Sequence, residues 1–297
     1  MSSPQEIAMR ILDSGGASDD WQPPAEWIPV PEPDEYDIYI LLQAQPTGNN
    51  NAKMKIAFSL YKESTSYPGA WVSGDNIYCD FGDGTEGIYS GGITHTYTEP
   101  GQYLVHIIGN EKSMKFDQSS LSKNLLIFKS GEKIICDLAS QYGFREQSSL
   151  AYVKINDLEG IYIGNRQIFQ GCFSLKKMDF KIKPTATSIG IRAFETCRAI
   201  KGISFKNCKT INELAFQGCT AVKTISFPNV TSIDTSAFSG CYNLESVYLP
   251  NCTSIGDQAF YQCYNLQKII VSENCTFGTN CFQSCYSLFP RPDGSIN

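Results

Sequence analysis

The 297-residue sequence predicts a mainly β protein, with a β-sandwich in the first half and a stacked-repeat solenoid in the second. Three observations predict this. A Phe-x-x-Cys pair recurs at Phe169/Cys172, Phe194/Cys197, Phe216/Cys219, Phe238/Cys241, Phe260/Cys263 and Phe282/Cys285, with successive spacings of 25, 22, 22, 22 and 22. A fixed period in this range marks coils that bury their side chains only by stacking on one another. In the first half, strand-like alternation flanks two turn signals, "FGDGT" and "EPGQ", within residues 77–108. Finally, 42% hydrophobic and 12% aromatic content suits a packed core.

Residues 1–35 read as an extended anchoring arm. "DDWQPPAEWIPVPEPDEY" sets Trp21 and Trp27 among prolines and acids, and residues 1–37 carry Arg10 against nine acids. Such a stretch cannot bury itself as a domain, but it can lie along a partner, with the two tryptophans as anchors. Residues 36–110 are assigned to the sandwich and 111–147 to a connector and solenoid cap. The solenoid itself is assigned to 148–297. Phe144, another 25 residues before Phe169, opens an atypical unit in which Gln147 replaces the cysteine.

Within one coil, "NLESVYLPNCTSIGDQAF" begins with Leu244, Val247 and Leu249 in strand-like alternation, and Pro250 closes it. The Ala-Phe-x-x-Cys portion is expected to make a short helical or 3-10 turn. The Phe and Cys positions then form an interior ladder. Free cysteine is small and among the most buried residue types, so reduced packing thiols are the expectation for the six in-line cysteines of the twelve in the chain. No CxxC pair points to zinc.

These repeats resemble the BspA-like (treponemal-type) leucine-rich repeats over roughly residues 144–289. The resemblance implies a curved solenoid used for binding, often in surface adhesion. Phe81, Gly82, Asp83, Gly84, His95, Tyr97, Pro100, Gly101 and Tyr103 resemble the turn and strand signature of PKD-type sandwiches, an Ig-like architecture. His95 is expected to anchor that turn beside Asp80 or Asp83. Those aspartates suit either a calcium ion or Asx hydrogen bonds within the turn. "AEWIPVPEPDEYDIYIL" running into this turn is similar to amino-terminal regions of phage and prophage tail-associated proteins.

Charge and motifs narrow the function. Residues 1–147 hold 10 Lys/Arg against 20 Asp/Glu (net −10), and 148–297 hold 14 against 10 (net +4). An acidic first half argues against nucleic-acid binding. With two histidines and no nucleophile, phosphate-loop or metal motif, neither catalysis nor a cofactor or metal is expected. No apolar run is long enough for membrane insertion. The start lacks the basic and apolar regions of a signal peptide, so synthesis in the cytoplasm is expected.

Binding is expected on the outward columns of the solenoid. Tyr242, Tyr264 and Tyr286 follow successive ladder cysteines, with Tyr248 nearby. Lys176, Lys201 and Lys223 hold one strand position, and Asp179, Ser204, Ser226, Tyr248 and Ile270 another. Both solenoid edges need protection, for which a homo-oligomer contact is one route. The preferred reading is a phage or prophage virion protein. Its first half would join other virion proteins, and its repeats would bind a host surface protein or glycan. The alternatives are an exported adhesin on a bacterial cell surface and an intracellular protein-binding scaffold.

Overall fold

The computed structural model describes residues 21–44, 54–63, 71–73, 76–90, 92–108, 114–117, 125–132, 134–136, 144–158, 167–182, 187–203, 205 and 207–288. Most of the anchoring arm and the last residues of the chain therefore lie outside the described residues, as does Ser204. Two compact units emerge, one comprising Gln22–Gly160 with Met178–Lys183, the other built on Ile161–Lys177 and Pro184–Asn297.

The first unit is a single hydrogen-bonded network of strands. These are β1 (Asp37–Ala44), β2 (Met54–Glu63), β3 (Trp71–Ser73), β4 (Ile77–Asp80), β5 (Glu86–Tyr89), β6 (Gly92–Tyr97), β7 (Gly101–Ile108), β8 (Met114–Asp117), β9 (Leu125–Ser130), β10 (Ile134–Cys136), β11 (Tyr152–Leu158) and β12 (Lys177–Ile182). The sheet order is β3-β2-β8-β10-β11-β9-β1-β7-β4-β5, with β6 on β2 and β12 on β11. β1 is apolar on both faces, and Ile38, Ile40, Leu41 and Leu42 are fully buried. That suits its central place, antiparallel to β7 on one side and β9 on the other.

The connector expected over 111–147 is not a connector. β8, β9 and β10 belong to the sheet, and they join the β2-β3-β6 strands to the β1-β7-β4-β5 strands. The reason is visible in β9, whose "LLIFKS" is buried at every position and must be covered on both faces. β11 then runs parallel to β9 with Ile127 opposite Tyr152, a 25-residue offset equal to that from Phe144 to Phe169. Repeat-like spacing thus begins inside the first unit, and the boundary expected at 147/148 falls beyond β11.

The described part of the arm is held by this same unit. Ile28 N–H donates to Gln102 Oε1 at 2.9 Å. The buried Lys129 donates to the Val30 and Pro31 carbonyls at 2.8 and 3.3 Å and to Glu32 at 2.9 Å. Glu32 also accepts from Lys154, the cross-strand neighbour of Lys129. Two facing lysines would repel; one carboxylate from the arm bridges them, and these hydrogen bonds hold its pKa below the usual range. Trp21 and Trp27 are half-buried, and Trp27 N–H closes a turn onto the Pro24 carbonyl at 2.9 Å.

The FGDG turn between β4 and β5 is built as its residues suggest. Phe81 N–H bonds the Thr85 carbonyl at 3.0 Å, and Gly82 and Gly84 take positive φ of 74° and 86°. A Cβ at Gly82 would also lie 2.6 Å from the Leu104 carbonyl oxygen. Asp80 accepts from Gly82 N–H at 2.8 Å and Asp83 from Thr85 N–H at 3.0 Å. His95 Nε2 lies 2.7 Å from Asp83, its ring stacked on Phe81 at 4.1 Å. Tyr97, fully interior, donates to the Phe81 carbonyl at 2.9 Å.

The second unit is the solenoid, with two ladders of short parallel strands. β14 (Gly202–Ile203), β16 (Thr224–Ser226), β18 (Ser246–Leu249) and β20 (Lys268–Val271) form one. β13 (Ser188–Ile189), β15 (Thr210–Ile211), β17 (Ser232–Ile233), β19 (Ser254–Ile255) and β21 (Thr276–Phe277) form the other. Pairing keeps equivalent residues abreast, as in Ile225↔Val247 and Ile233↔Ile255.

Between these strands the expected helical or 3-10 turn is absent, and no helix occurs among the described residues. Instead, each Ala-Phe-x-x-Cys segment is a pair of turns with two left-handed residues. Leu214, Ser236 and Gln258 precede the alanine with φ of 59°, 55° and 55°. Gly218, Gly240 and Gln262 precede the cysteine with φ of 71°, 73° and 60°. Left-handed residues interrupt helical bonding and turn alternate amides toward the next coil. Phe216 N–H therefore bonds the Ala237 carbonyl at 2.8 Å, and Phe238 N–H that of Ala259 at 2.8 Å. These bonds make a third ladder. Glu146, with φ 61°, precedes Gln147 in the same local turn one period earlier.

Candidate binding site on the outward columns of the solenoid

A constant interior sets the spacing of the candidate site. Phe169, Phe194, Phe216, Phe238, Phe260 and Phe282 stack with near-parallel rings at centroid distances of 5.3, 5.2, 5.2, 5.4 and 5.6 Å. Beside them the thiols of Cys197, Cys219, Cys241, Cys263 and Cys285 donate to the carbonyls of Phe169, Phe194, Phe216, Phe238 and Phe260. Those bonds span 3.1–3.3 Å. Burial pushes the Cys241 thiol up to about 12 and holds Cys197 and Cys219 well above the ordinary value. Cys172, fully buried, begins the column. The five donating thiols are packing groups, each adding a second bond to a Phe carbonyl that already accepts the backbone N–H three residues on.

This frame carries two outward columns on either side of one turn. Tyr242 and Glu245 stand three residues apart, and between them Leu244 N–H bonds the Cys241 carbonyl at 3.0 Å. Along the edge the pairs read Phe173 and Lys176, Arg198 and Lys201, Thr220 and Lys223, Tyr242 and Glu245, Tyr264 and Gln267, then Tyr286. The edge runs from cationic to aromatic.

At the aromatic end, Tyr242, Tyr264 and Tyr286 stack at 5.1 and 5.5 Å with interplanar angles of 13° and 6°. Tyr264 has a ring on each face, while Tyr242 and Tyr286 each put one face into the stack. Partial burial in the stack and the neighbouring tyrosines raise the Tyr264 phenol. At the cationic end, Lys176, Arg198 and Lys201 are exposed, and the Arg198 guanidinium lies 5.0 Å over the Phe173 ring. Such contacts hold a guanidinium in place while leaving its outer donors open. Lys223 is exposed too, but it pairs with Glu245 at 3.2 Å.

The structure thus brings Tyr242, Tyr264 and Tyr286 together in one stack and sets Lys201 beside Lys223 in the coil ladder, where Lys223 N–H reaches the Lys201 carbonyl at 3.3 Å. Tyr248 is half-buried on β18, away from that turn. Ser226, expected to face outward, is fully buried and offers nothing to a ligand. Asp179 accepts from the Tyr152 hydroxyl at 2.6 Å within the first unit. The Phe173–Arg198 pair did not stand out in the sequence, because its partners lie 25 residues apart and share only a repeat phase.

The period, the strand ladders and the Phe–Cys interior together define the repeat. Residues 161–289 match the family described as BspA type leucine rich repeat region, in six copies. The solenoid is thus similar to BspA-type leucine-rich repeats. Among solved structures, a leucine-rich repeat protein of T. pallidum is 23% identical, with a TM-score of 0.37, covering 49% of this chain and 81% of its own. A leucine-rich repeat protein from Bacteroides ovatus is 16% identical, with a TM-score of 0.23, covering 55% and 61% respectively. A leucine-rich cell surface protein from Faecalibacterium prausnitzii is 17% identical, with a TM-score of 0.24, covering 62% and 79%. No curated protein matches the chain.

Among the described residues, no three His, Cys, Asp or Glu side chains gather in a way that could hold a metal ion. Asp80 and Asp83 are engaged in the turn hydrogen bonds given above. No described helix is long and apolar enough to cross a membrane. At the last coil, Ile269, Phe277, Phe282 and Leu288 line an open hollow of about 540 Å³, and Phe277 is half-exposed.

Proposed function

We propose that this chain is a non-enzymatic binding protein of adhesin type, recognising a protein or glycan surface through the outward edge of its solenoid. One observation carries the reading. The Phe–Cys interior is constant from coil to coil, while the edge beside it changes from Phe173, Arg198 and Lys201 to Tyr242, Tyr264 and Tyr286. A fixed frame with changing aromatic and cationic side chains suits selective contact, since Tyr and Arg supply much of the energy of protein interfaces.

The finer form of the proposal places the chain in a phage or prophage virion. The first unit, as a PKD-like sandwich, would seat on other virion proteins while the repeats reach the host surface. The arm and the FGDG turn support it by their resemblance to tail-associated proteins. An exported adhesin on a bacterial surface is the second reading, favoured by the BspA type of the repeats.

The test uses the full chain and two variants, Arg198→Glu/Lys201→Glu and Tyr242→Ser/Tyr264→Ser. Wild-type protein is expected to bind candidate host cells in a saturable way, and at least one variant to lose most of that binding with its unfolding curve unchanged. Equal binding by all three proteins would remove the edge from consideration. Co-sedimentation with tail particles then separates the virion form from the exported adhesin.

A further inference from the structure

Two cysteine columns run through the solenoid. The ladder thiols are buried and committed to Phe carbonyls. The second column lies two residues before the short strands β15, β17 and β19, at Cys208, Val230 and Cys252; one coil on, Asn274 takes that position and Cys275 follows it. Cys252 and Cys275 are therefore diagonal neighbours on adjacent coils.

Ser254 pairs with Thr276, which sets Cys275 level with Thr253 and one residue diagonal to Cys252. Thr276 N–H bonds the Thr253 carbonyl at 2.9 Å, and Thr276 Oγ1 reaches the same carbonyl at 3.2 Å. Parallel strands lie ~4.8 Å apart and rise ~3.3 Å per residue, so a pair diagonal by one residue stands roughly 6 Å apart, inside the ~4.4–6.8 Å between Cα atoms that a disulfide spans. The sulfurs also turn the same way: Cys252 Sγ lies 3.4 Å from the Ser254 carbonyl and Cys275 Sγ 3.7 Å from that of Thr276. Unlike the ladder thiols, Cys275 is partly open to solvent, whereas Cys252 is buried.

We propose that Cys252 and Cys275 are a redox pair that closes into a disulfide and staples the last coil to the one before it. A small-molecule disulfide is the oxidant. The Cys275 thiolate attacks one of its sulfurs, forming a mixed disulfide and releasing one small thiol. The Cys252 thiolate then attacks the Cys275 sulfur and expels the second. Two protein S–H bonds are lost, one S–S bond forms, and one small disulfide is reduced to two thiols.

Accessibility and order of ionisation agree with this sequence of steps. Burial pushes Cys252 up to about 12 and also raises Cys275, but the hydrogen bond between the two thiols works against burial on Cys275 alone. Cys275 is therefore the entry point and Cys252 the slower, resolving thiol. The staple falls on the last described coil, where Phe277 is half-exposed.

The experiment exposes the folded full chain to oxidised glutathione and follows intact mass, non-reducing peptide maps and melting temperature. Wild-type protein is expected to lose two hydrogens, yield a Cys252–Cys275 cross-link and melt higher. Cys275→Ser should show neither cross-link nor rise in melting temperature. Cys252→Ser should accumulate glutathione on Cys275. A wild-type chain that stops at the mixed disulfide, stays fully reduced, or cross-links Cys263 to Cys285 overturns the proposal.

Discussion

The two units are stabilised in different ways. In the solenoid each contact is one member of a column, and removing it leaves equivalent contacts a coil away on either side. In the first unit the decisive contacts occur once, such as the Lys129–Glu32 bridge and the Tyr97 hydroxyl on the Phe81 carbonyl. Redundancy makes the solenoid tolerant in its outward columns and graded along its interior ones. Uniqueness makes the first unit sensitive at a few points.

The largest effect is expected in the middle of the phenylalanine stack. Phe216 is fully buried between Phe194 and Phe238. Phe216→Ala should cost about 3–5 kcal/mol in denaturant unfolding, from lost transfer energy plus the cavity. Phe282 is half-buried, stacked on Phe260 at 5.6 Å and tilted against Phe277 at 5.4 Å. Phe282→Ala should cost less than half as much. Equal losses at the two sites would show that the column is not graded by position.

The arm bridge comes next. Glu32→Gln leaves the buried Lys129 ammonium with the Val30 and Pro31 carbonyls and faces it with Lys154 uncompensated. A loss of about 1–3 kcal/mol is expected, the range for a hydrogen bond to a charged group. Adding Lys154→Met should recover part of it, because the facing charge is gone. If Glu32→Gln is neutral, the arm is not held by this bridge, and the contrast between unique and repeated contacts weakens.

Backbone spacing in the solenoid gives the third test. A Cβ at Gly256 would lie 2.8 Å from Asp234 C and Thr235 N of the preceding coil, whereas one at Gly84 meets nothing within 4 Å. Gly256→Ala should cost about 1–3 kcal/mol through overpacking. Gly84→Ala should cost about 1–2 kcal/mol from its positive φ alone. Reversal of that order would mean the coils can spread to admit a methyl group.

Much of the solenoid is legible in the sequence because a period writes each structural requirement several times. Phe and Cys at fixed phase mark the interior, and Tyr242, Tyr264 and Tyr286 mark one outward column. The left-handed turns are hidden because Leu214, Ser236 and Gln258 are ordinary residues at φ near 55–59°. Stacking hydrogen bonds, not residue type, hold them there. In the first unit the FGDG turn and its histidine can be read locally. The membership of β8 to β11 in one sheet cannot, because their pairing depends on partners far away in the chain. The candidate edge is half legible for a similar reason. Its columns follow from the period, but the seating of Arg198 on Phe173 needs the coils to be stacked.

The smallest effect concerns pH and the FGDG turn. Burial raises the Asp83 carboxyl, but the His95 contact and the Thr85 hydrogen bonds outweigh it and hold its pKa below the ordinary value. A depressed carboxylate stabilises the fold above its unfolded pKa, and the contribution disappears as pH falls through the folded value. Asp83→Asn should therefore weaken the first unit slightly near neutrality, within the ~0–1 kcal/mol of a partly exposed pair. Wild type and variant should converge as the solution is acidified below the carboxylate range. Because this contact is made once, no neighbouring coil can mask the change. Melting curves at stepped pH that keep a constant gap between the two proteins would mean that the turn relies on its backbone bonds and the Tyr97 hydroxyl, with the Asp83 carboxylate adding nothing that titrates.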